Sequence, residues 1–138
     1  MFKSFVLALF LLTSVGCRLL AEESDRTQYN TLDPQQFLAS HSLTNNPRPR
    51  EVALELFARY TRESEGRKSE TMAIAYPTRD IAIVTVEIVG LADDSMRGSR
   101  YRLEFQWTDD NWQLDWVGSQ VQCWQGRGSQ NWGRDRCS

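Results

Sequence analysis

Residues 100–116, RYRLEFQWTDDNWQLDW, have the clearest structural pattern in this 138-residue chain. Its first half alternates apolar and polar side chains, which is the pattern of a β-strand with one buried face. One face carries Tyr101, Leu103, Phe105 and Trp107, and the other carries Arg100, Arg102, Glu104 and Gln106. Residues 108–111 form a tight turn, and the alternation then continues at Trp112, Leu114 and Trp116. The stretch predicts an antiparallel hairpin whose outer face is in contact with water.

Further strand patterns flank this hairpin. Residues 72–76 alternate before Pro77, and Ile81–Val89 is a β-branched run typical of a central strand. After residue 116 the apolar phase changes on the way to Cys123, and Gly118 lies at the change. A glycine in that position predicts a β-bulge that bends the last strand.

Two helices are predicted before the strands. Asp33 followed by Pro34 is typical of an N-cap with proline in the first turn, which predicts a short helix to about Ser40. The main helix begins near Pro49 and ends before Gly66, and its apolar stripe consists of Val52, Ala53, Leu56, Phe57 and Tyr60. One main helix packed on a four-stranded antiparallel meander is an α+β fold.

The order of these elements, over residues 49–124, resembles the cystatin-like and NTF2-like superfamilies. The inhibitory cystatin motif Gln-x-Val-x-Gly is absent from the turns between the strands. The NTF2-like resemblance implies a pocket in a curved sheet, for which Tyr76, Glu87 and Tyr101 are the candidate polar groups. On the concave side Glu87 would serve as a general base, whereas its alternation with Thr85 favours the outward face.

Residues 1–16 have the layout of a secretory signal peptide, with Lys3 ahead of the apolar run Phe5–Leu12. That run is too short to span a bilayer as a helix. The residues directly before Cys17 resemble the lipobox of bacterial lipoproteins, although Ser14 stands where that family usually has leucine. The resemblance implies lipidation of Cys17, and ordinary cleavage after Ala21 is the alternative.

The rest of the chain divides into a polar tether, residues 17–32, and a single domain, residues 33–138. Arg18 stands where an aspartate would resemble an inner-membrane retention signal. The sequence therefore predicts an exported protein held by its lipid in the bacterial envelope, at the outer membrane and facing the periplasm.

The three cysteines fit this division. If Cys17 carries lipid, Cys123 and Cys137 remain to form a disulfide in an oxidising compartment. A metal site is not predicted, because the single histidine, His41, is remote in sequence and no CxxC is present. His41 itself is expected in an exposed loop.

No catalytic constellation or cofactor motif is found. The sequence lacks a G-x-S-x-G elbow, a Walker loop and a G-x-G-x-x-G motif. The aspartate pairs 93–94 and 109–110 lie between strands, where a turn role is favoured over calcium binding. A net charge of −2 provides no field that would attract nucleic acid, so none is expected as a partner.

The C-terminal segment has the most distinctive composition. Trp124, Arg127, Trp132 and Arg134 would suit a recognition loop for an envelope protein or a glycan. In the alternative, which the small size of the domain favours, the loop folds over the sheet, its Trp rings cap the core and the disulfide holds them. The expected function is binding or scaffolding by a non-enzymatic envelope lipoprotein. The alternative is an NTF2-like domain that binds, or less readily transforms, a small molecule.

Overall fold

A computed structural model describes residues 25–43 and 47–138. These residues form an antiparallel sheet of five strands in the order β1-β5-β4-β3-β2, with two helices. The elements are β1 Asn30–Leu32, α1 Pro34–Ser40, α2 Pro49–Tyr60, β2 Ser69–Thr78, β3 Ile81–Val89, β4 Met96–Thr108 and β5 Asn111–Cys123. The α+β class is confirmed, and the count of four strands is wrong. The extra strand, β1, is too short to show an alternating pattern and forms only by pairing with Val117–Ser119 of β5.

The helices begin where the sequence predicts. The Asp33 side chain accepts a hydrogen bond of 2.7 Å from the backbone N–H of Gln36, which caps α1. In α2, Pro49 occupies the first turn, and Val52, Ala53 and Leu56 are buried. This apolar face packs on β3 and β2. The main helix therefore covers one face of the sheet.

The core lies between the helices and this face. Its strand residues are Ala82, Val84, Val86, Ile88, Leu103, Phe105, Leu114 and Val117. Phe105 pairs with Leu114, whereas Glu104 pairs with Trp116, so Asp115 is the additional residue of a β-bulge. The predicted bulge exists but lies before Gly118, and it turns the Trp116 ring to the face opposite Leu114.

That opposite face is not fully exposed to water, contrary to the sequence prediction. The segment before β1 lies across it, with Tyr29 only 9% exposed and its ring edge-to-face with Trp116 at 5.6 Å. The Arg26 guanidinium lies over the Trp116 ring at 5.2 Å and pairs with Glu104, which is 4% exposed. The alternation of β4 assigns the two faces correctly but carries no information about what covers them.

The folded unit consequently begins before residue 33. Arg102 pairs with Asp25 and, at 3.0 Å, with Glu104. The Arg26–Glu104 and Arg102–Asp25 pairs join residues nearly 80 positions apart in the chain, so the sequence pattern around residues 25–32 gives no sign of them. The predicted signal peptide, Cys17 and the first part of the predicted tether lie outside the described residues.

Candidate functional site

Residues 124–138, here called the C-terminal loop, form an irregular but well-connected surface. The disulfide predicted between Cys123 and Cys137 is confirmed, with Cα atoms 5.5 Å apart. The Cys123 N–H donates to the carbonyl of Ser129 at 2.8 Å, and Gly133 pairs with Val121 as a β-bridge. These bonds hold the loop against the end of β5 along most of its length.

Both tryptophans of the loop are used to anchor it. The Trp124 indole N–H donates to the Asp93 carbonyl at 2.8 Å. The Trp132 ring lies under the Arg100 guanidinium at 4.3 Å and close to Gly98, where an added Cβ would approach the ring to 3.0 Å. Neither ring belongs to the core cluster of the described residues. The loop therefore folds over the sheet, but on its outer face and on the β3–β4 turn rather than over the core.

The β3–β4 turn that receives Trp124 is itself held by a carboxylate. Asp93 accepts hydrogen bonds from the backbone N–H groups of Met96 at 2.6 Å and Ser95 at 2.9 Å. These donors favour the charged form and lower the pKa of Asp93 below its ordinary value. Asp109 and Asp110, with φ of 53° and 60°, form the two-residue turn between β4 and β5. Both aspartate pairs therefore lie in turns between strands, as predicted, and Asp93 forms the local hydrogen bonds expected of a turn residue.

Three arginines of the C-terminal loop are exposed. They are Arg127, Arg134 and Arg136, and the loop contains one acidic side chain, Asp135. Within the described ranges, no Asp or Glu side chain forms an ion pair with these three guanidinium groups, although Arg127 Nη1 donates to the Ser138 main-chain oxygen at 3.4 Å. A groove of about 240 Å³ separates the loop from the β3–β4 turn. It is lined by Asn30, Asp93, Ser95, Met96, Val121, Arg134, Arg136 and Cys137. All three arginines belong to the C-terminal segment whose Trp and Arg content the sequence analysis singled out as a possible recognition loop.

The structure does not bring Tyr76, Glu87 and Tyr101 together. Glu87 lies on the outer face, in phase with Thr85 as the alternation favoured, and accepts a hydrogen bond from Arg100 Nε at 2.7 Å. Tyr76 lies at the far end of the sheet, with its ring 6.3 Å from that of Trp112. Of the three, Tyr101 alone lines a cavity next to a helix.

That cavity has a volume of about 310 Å³ and is lined by Leu32, Asp33, Gln36, Phe37, Ser40, His41 and Tyr101. His41 is the C-cap of α1 rather than a free loop residue. Its Nε2 lies 2.8 Å from the Tyr60 hydroxyl, and the Tyr60 ring stacks on Tyr101 at 5.2 Å. Burial and the neighbouring Tyr101 hydroxyl raise the pKa of Tyr60 strongly, so its hydroxyl is a stable hydrogen-bonding group. No local pattern indicates this cluster, since its residues come from α1, α2 and β4.

Comparisons with family models, with curated proteins and with solved structures found no match to the chain. Among the described residues, no helix has the length and apolarity needed to cross a membrane. Within the same residues, no group of three or more His, Cys, Asp or Glu side chains is arranged to hold a metal ion.

Proposed function

We propose that this chain is a non-enzymatic lipoprotein of the bacterial envelope that binds the acidic surface of a partner protein through its C-terminal loop. The observation that carries the proposal is a loop closed by the Cys123–Cys137 disulfide, with its rings anchored and its arginines exposed. The parts of the proposal that concern export and lipidation at Cys17 are based on the sequence of residues 1–17. The membrane is then contacted through the lipid, and the folded domain faces the periplasm.

Anchoring of the loop favours binding because the backbone is already ordered in the free protein, so less conformational entropy is lost when a partner binds. Ser138 N–H donates to the Arg127 carbonyl at 2.8 Å, and Asn30 donates to the Arg134 carbonyl at 2.7 Å. Each of the two backbone segments that carry these guanidinium groups is thereby held by a hydrogen bond. Only the side chains remain to be ordered on binding.

The exposed groups define the chemistry of the partner. A guanidinium presents a planar set of donors that matches a carboxylate with two parallel hydrogen bonds. Because Trp124 and Trp132 contact Asp93 and Arg100 of the same domain, the loop offers a partner charge and hydrogen bonds rather than aromatic contacts. Clustered carboxylates on an envelope protein fit this surface best.

The proposal is tested by photocrosslinking in the native host. A photoreactive amino acid at Gln130, which is exposed in the C-terminal loop, is compared with one at Leu54, which is 51% exposed on α2. The Gln130 position is expected to capture a discrete acidic partner that the Leu54 position does not capture. The yield is expected to fall as ionic strength rises, since exposed charges are screened by salt.

Charge reversal supplies the matched variants. Replacing Arg127, Arg134 and Arg136 by glutamate is expected to abolish capture at Gln130 without lowering the melting temperature. Arg79→Glu, at a side chain 92% exposed at the other end of the sheet, is the control and is expected to leave capture unchanged. Capture that persists in the triple variant would contradict a role for the loop.

The cavity beside Tyr101 supports a second candidate, the binding of a small molecule. Its walls combine the apolar rings of Phe37 and Tyr101 with the polar side chains of Gln36 and Ser40. At about 310 Å³ it lies at the lower end of the range of about 300–1,000 Å³ for ligand sites. Native mass spectrometry of protein purified from its host tests this function. A bound mass that is lost in Ser40→Trp, which fills the cavity, would favour it over the loop.

A further inference from the structure

The end of the sheet opposite the C-terminal loop carries three aromatic rings from three different strands. The Trp107 and Trp112 rings, from β4 and β5, meet edge-to-face with centroids 5.4 Å apart and planes at 71°. The Tyr76 ring, from β2, lies on the other side of Trp112 at 6.3 Å. Since Trp112 and Cys123 lie near opposite ends of the same strand, β5, this aromatic cluster is about 35 Å from the disulfide.

The cluster is unusually exposed for its composition. The exposed fractions are 56% for Tyr76 and 40% for Trp107, and these are two of the three large apolar residues that are exposed in the described chain. Trp112 is half-buried and packs against the core, so it holds the cluster in place. Two large aromatic surfaces thus face water although leaving them there forgoes the free energy of burial.

Charged groups lie directly beside the rings. A shallow concavity of about 480 Å³ is lined by Arg79, Asp80, Trp107 and Trp112. The backbone N–H of Trp107 donates to the Asp80 carbonyl at 2.8 Å, which holds the β2–β3 turn next to the strand that carries the Trp107 ring. Arg79 and Asp80 are only loosely paired, at 3.5 Å, and their side chains are 92% and 45% exposed. A carboxylate and a guanidinium are therefore available at the edge of an aromatic surface.

We infer that this aromatic cluster, Tyr76, Trp107 and Trp112, binds a sugar ring of a neutral oligosaccharide. A pyranose has a face of C–H groups, which packs on the electron-rich face of an indole, and a periphery of hydroxyls. Those hydroxyls donate to a carboxylate such as Asp80 and accept from a guanidinium such as Arg79. The volume of the concavity lies within the range of about 300–1,000 Å³ for ligand sites.

Two features favour a sugar over an apolar partner. The rings stand at a steep angle to one another and form a notch, whereas an apolar helix or an acyl chain needs a continuous apolar groove. Two charged side chains of the β2–β3 turn, Arg79 and Asp80, line the notch, so an apolar partner would desolvate them without replacing their hydrogen bonds. A neutral sugar replaces those bonds. The inference is independent of the C-terminal loop and stands if that proposal fails.

The test uses fluorine NMR of the full protein with 5-fluorotryptophan at its five tryptophans, purified in a detergent that contains no sugar. Cellotetraose, maltotetraose and N-acetylchitotetraose are titrated separately to about 10 mM, which saturates a site of millimolar Kd. With at least one of them, the Trp107 and Trp112 resonances are expected to shift saturably. The Trp116, Trp124 and Trp132 resonances are expected not to move.

Variants separate binding from folding. Trp107→Ala is expected to weaken binding at least about tenfold, and Asp80→Asn to weaken it less. Leu54→Ala removes the third exposed large apolar side chain, at a distant site, and is expected to bind like the wild type. If Trp107→Ala does not fold, Tyr76→Ala serves in its place, because the Tyr76 ring contributes nothing to the core cluster.

Three results would overturn the inference. The first is no shift with any of the three sugars. The second is a shift confined to the tryptophans of the C-terminal loop. The third is a shift of the Trp107 resonance with protein concentration alone, with dimers in sedimentation equilibrium, which would mean that a second copy of the chain covers the rings.

Discussion

Gly118→Ala tests whether the segment before β1 is packed on the outer face of the sheet. A Cβ at this position would lie 2.8 Å from Trp116 Cζ2 and 2.8 Å from Tyr29 Cβ, whereas ordinary contacts begin at 3.4 Å. The far end of the indole can turn aside, but Tyr29 Cβ moves only with its backbone, next to β1. Overpacking of this kind costs about 1–3 kcal/mol. With about 4 °C lost per kcal/mol for a chain of this length, the melting temperature should fall by about 4–12 °C.

The assay is thermal unfolding followed by circular dichroism, with Gly133→Ala as the matched control. An added Cβ at Gly133 has no neighbour within 4 Å and no left-handed backbone, so the control should lie within about 2 °C of the wild type or slightly above it. Hydrogen exchange should also show β1 amides losing protection first in Gly118→Ala. Equal melting temperatures for the two variants would refute the packing of Tyr29 and Trp116 against Gly118.

Three further predictions concern stability. Cys137→Ser opens a loop of sequence separation 14 and should lower the free energy of unfolding in urea by about 3 kcal/mol; an unchanged urea midpoint would contradict the role of the disulfide. Glu104→Gln removes the buried partner of two arginines and should cost about 3 kcal/mol, against about 1 kcal/mol for Glu87→Gln in a more exposed pair; the reverse order would refute the assignment. The pKa of Asp93 is lowered in the folded state, so its contribution is complete above the ordinary value of 3.8 and is lost as pH falls through the folded value. Asp93→Asn should therefore flatten the fall in melting temperature on acidification, and an unchanged acid profile would count against the Ser95 and Met96 hydrogen bonds.

The parts of the fold that follow from local patterns were predictable. Period-two alternation located β2–β5, and helical periodicity with a proline start located α2, because each pattern depends on residues a few positions apart. β1 and the packing of Tyr29 were not predictable, since three residues carry no period and their partners lie almost 90 positions away. The bulge was expected at Gly118 and lies at Asp115. Gly118 has a different role, because the absence of a side chain there leaves room for the Trp116 ring.

The candidate site was predictable in composition but not in arrangement. Cysteine counting identified the Cys123–Cys137 disulfide, and the Trp and Arg content identified the loop. That the tryptophans anchor the loop while the arginines remain exposed depends on Arg100 and on the Asp93 carbonyl, which contact it from other strands and turns. The aromatic cluster was not predicted either, because it too depends on contacts between different strands. Tyr76 and Trp112 belong to strands with two others between them, and alternation does not show that their rings meet.

The central proposal, a lipid-anchored binding protein of the envelope, is tested most directly by the intact mass of the protein extracted gently from the membranes of its own host. The proposal predicts a chain that begins at Cys17, carries a diacyl or triacyl increment and lacks two hydrogens because of the disulfide. A chain that begins near Glu22 without lipid would remove the anchor and leave a free exported protein. An uncleaved chain that begins at Met1 and has reduced thiols would contradict export itself, and with it the envelope function.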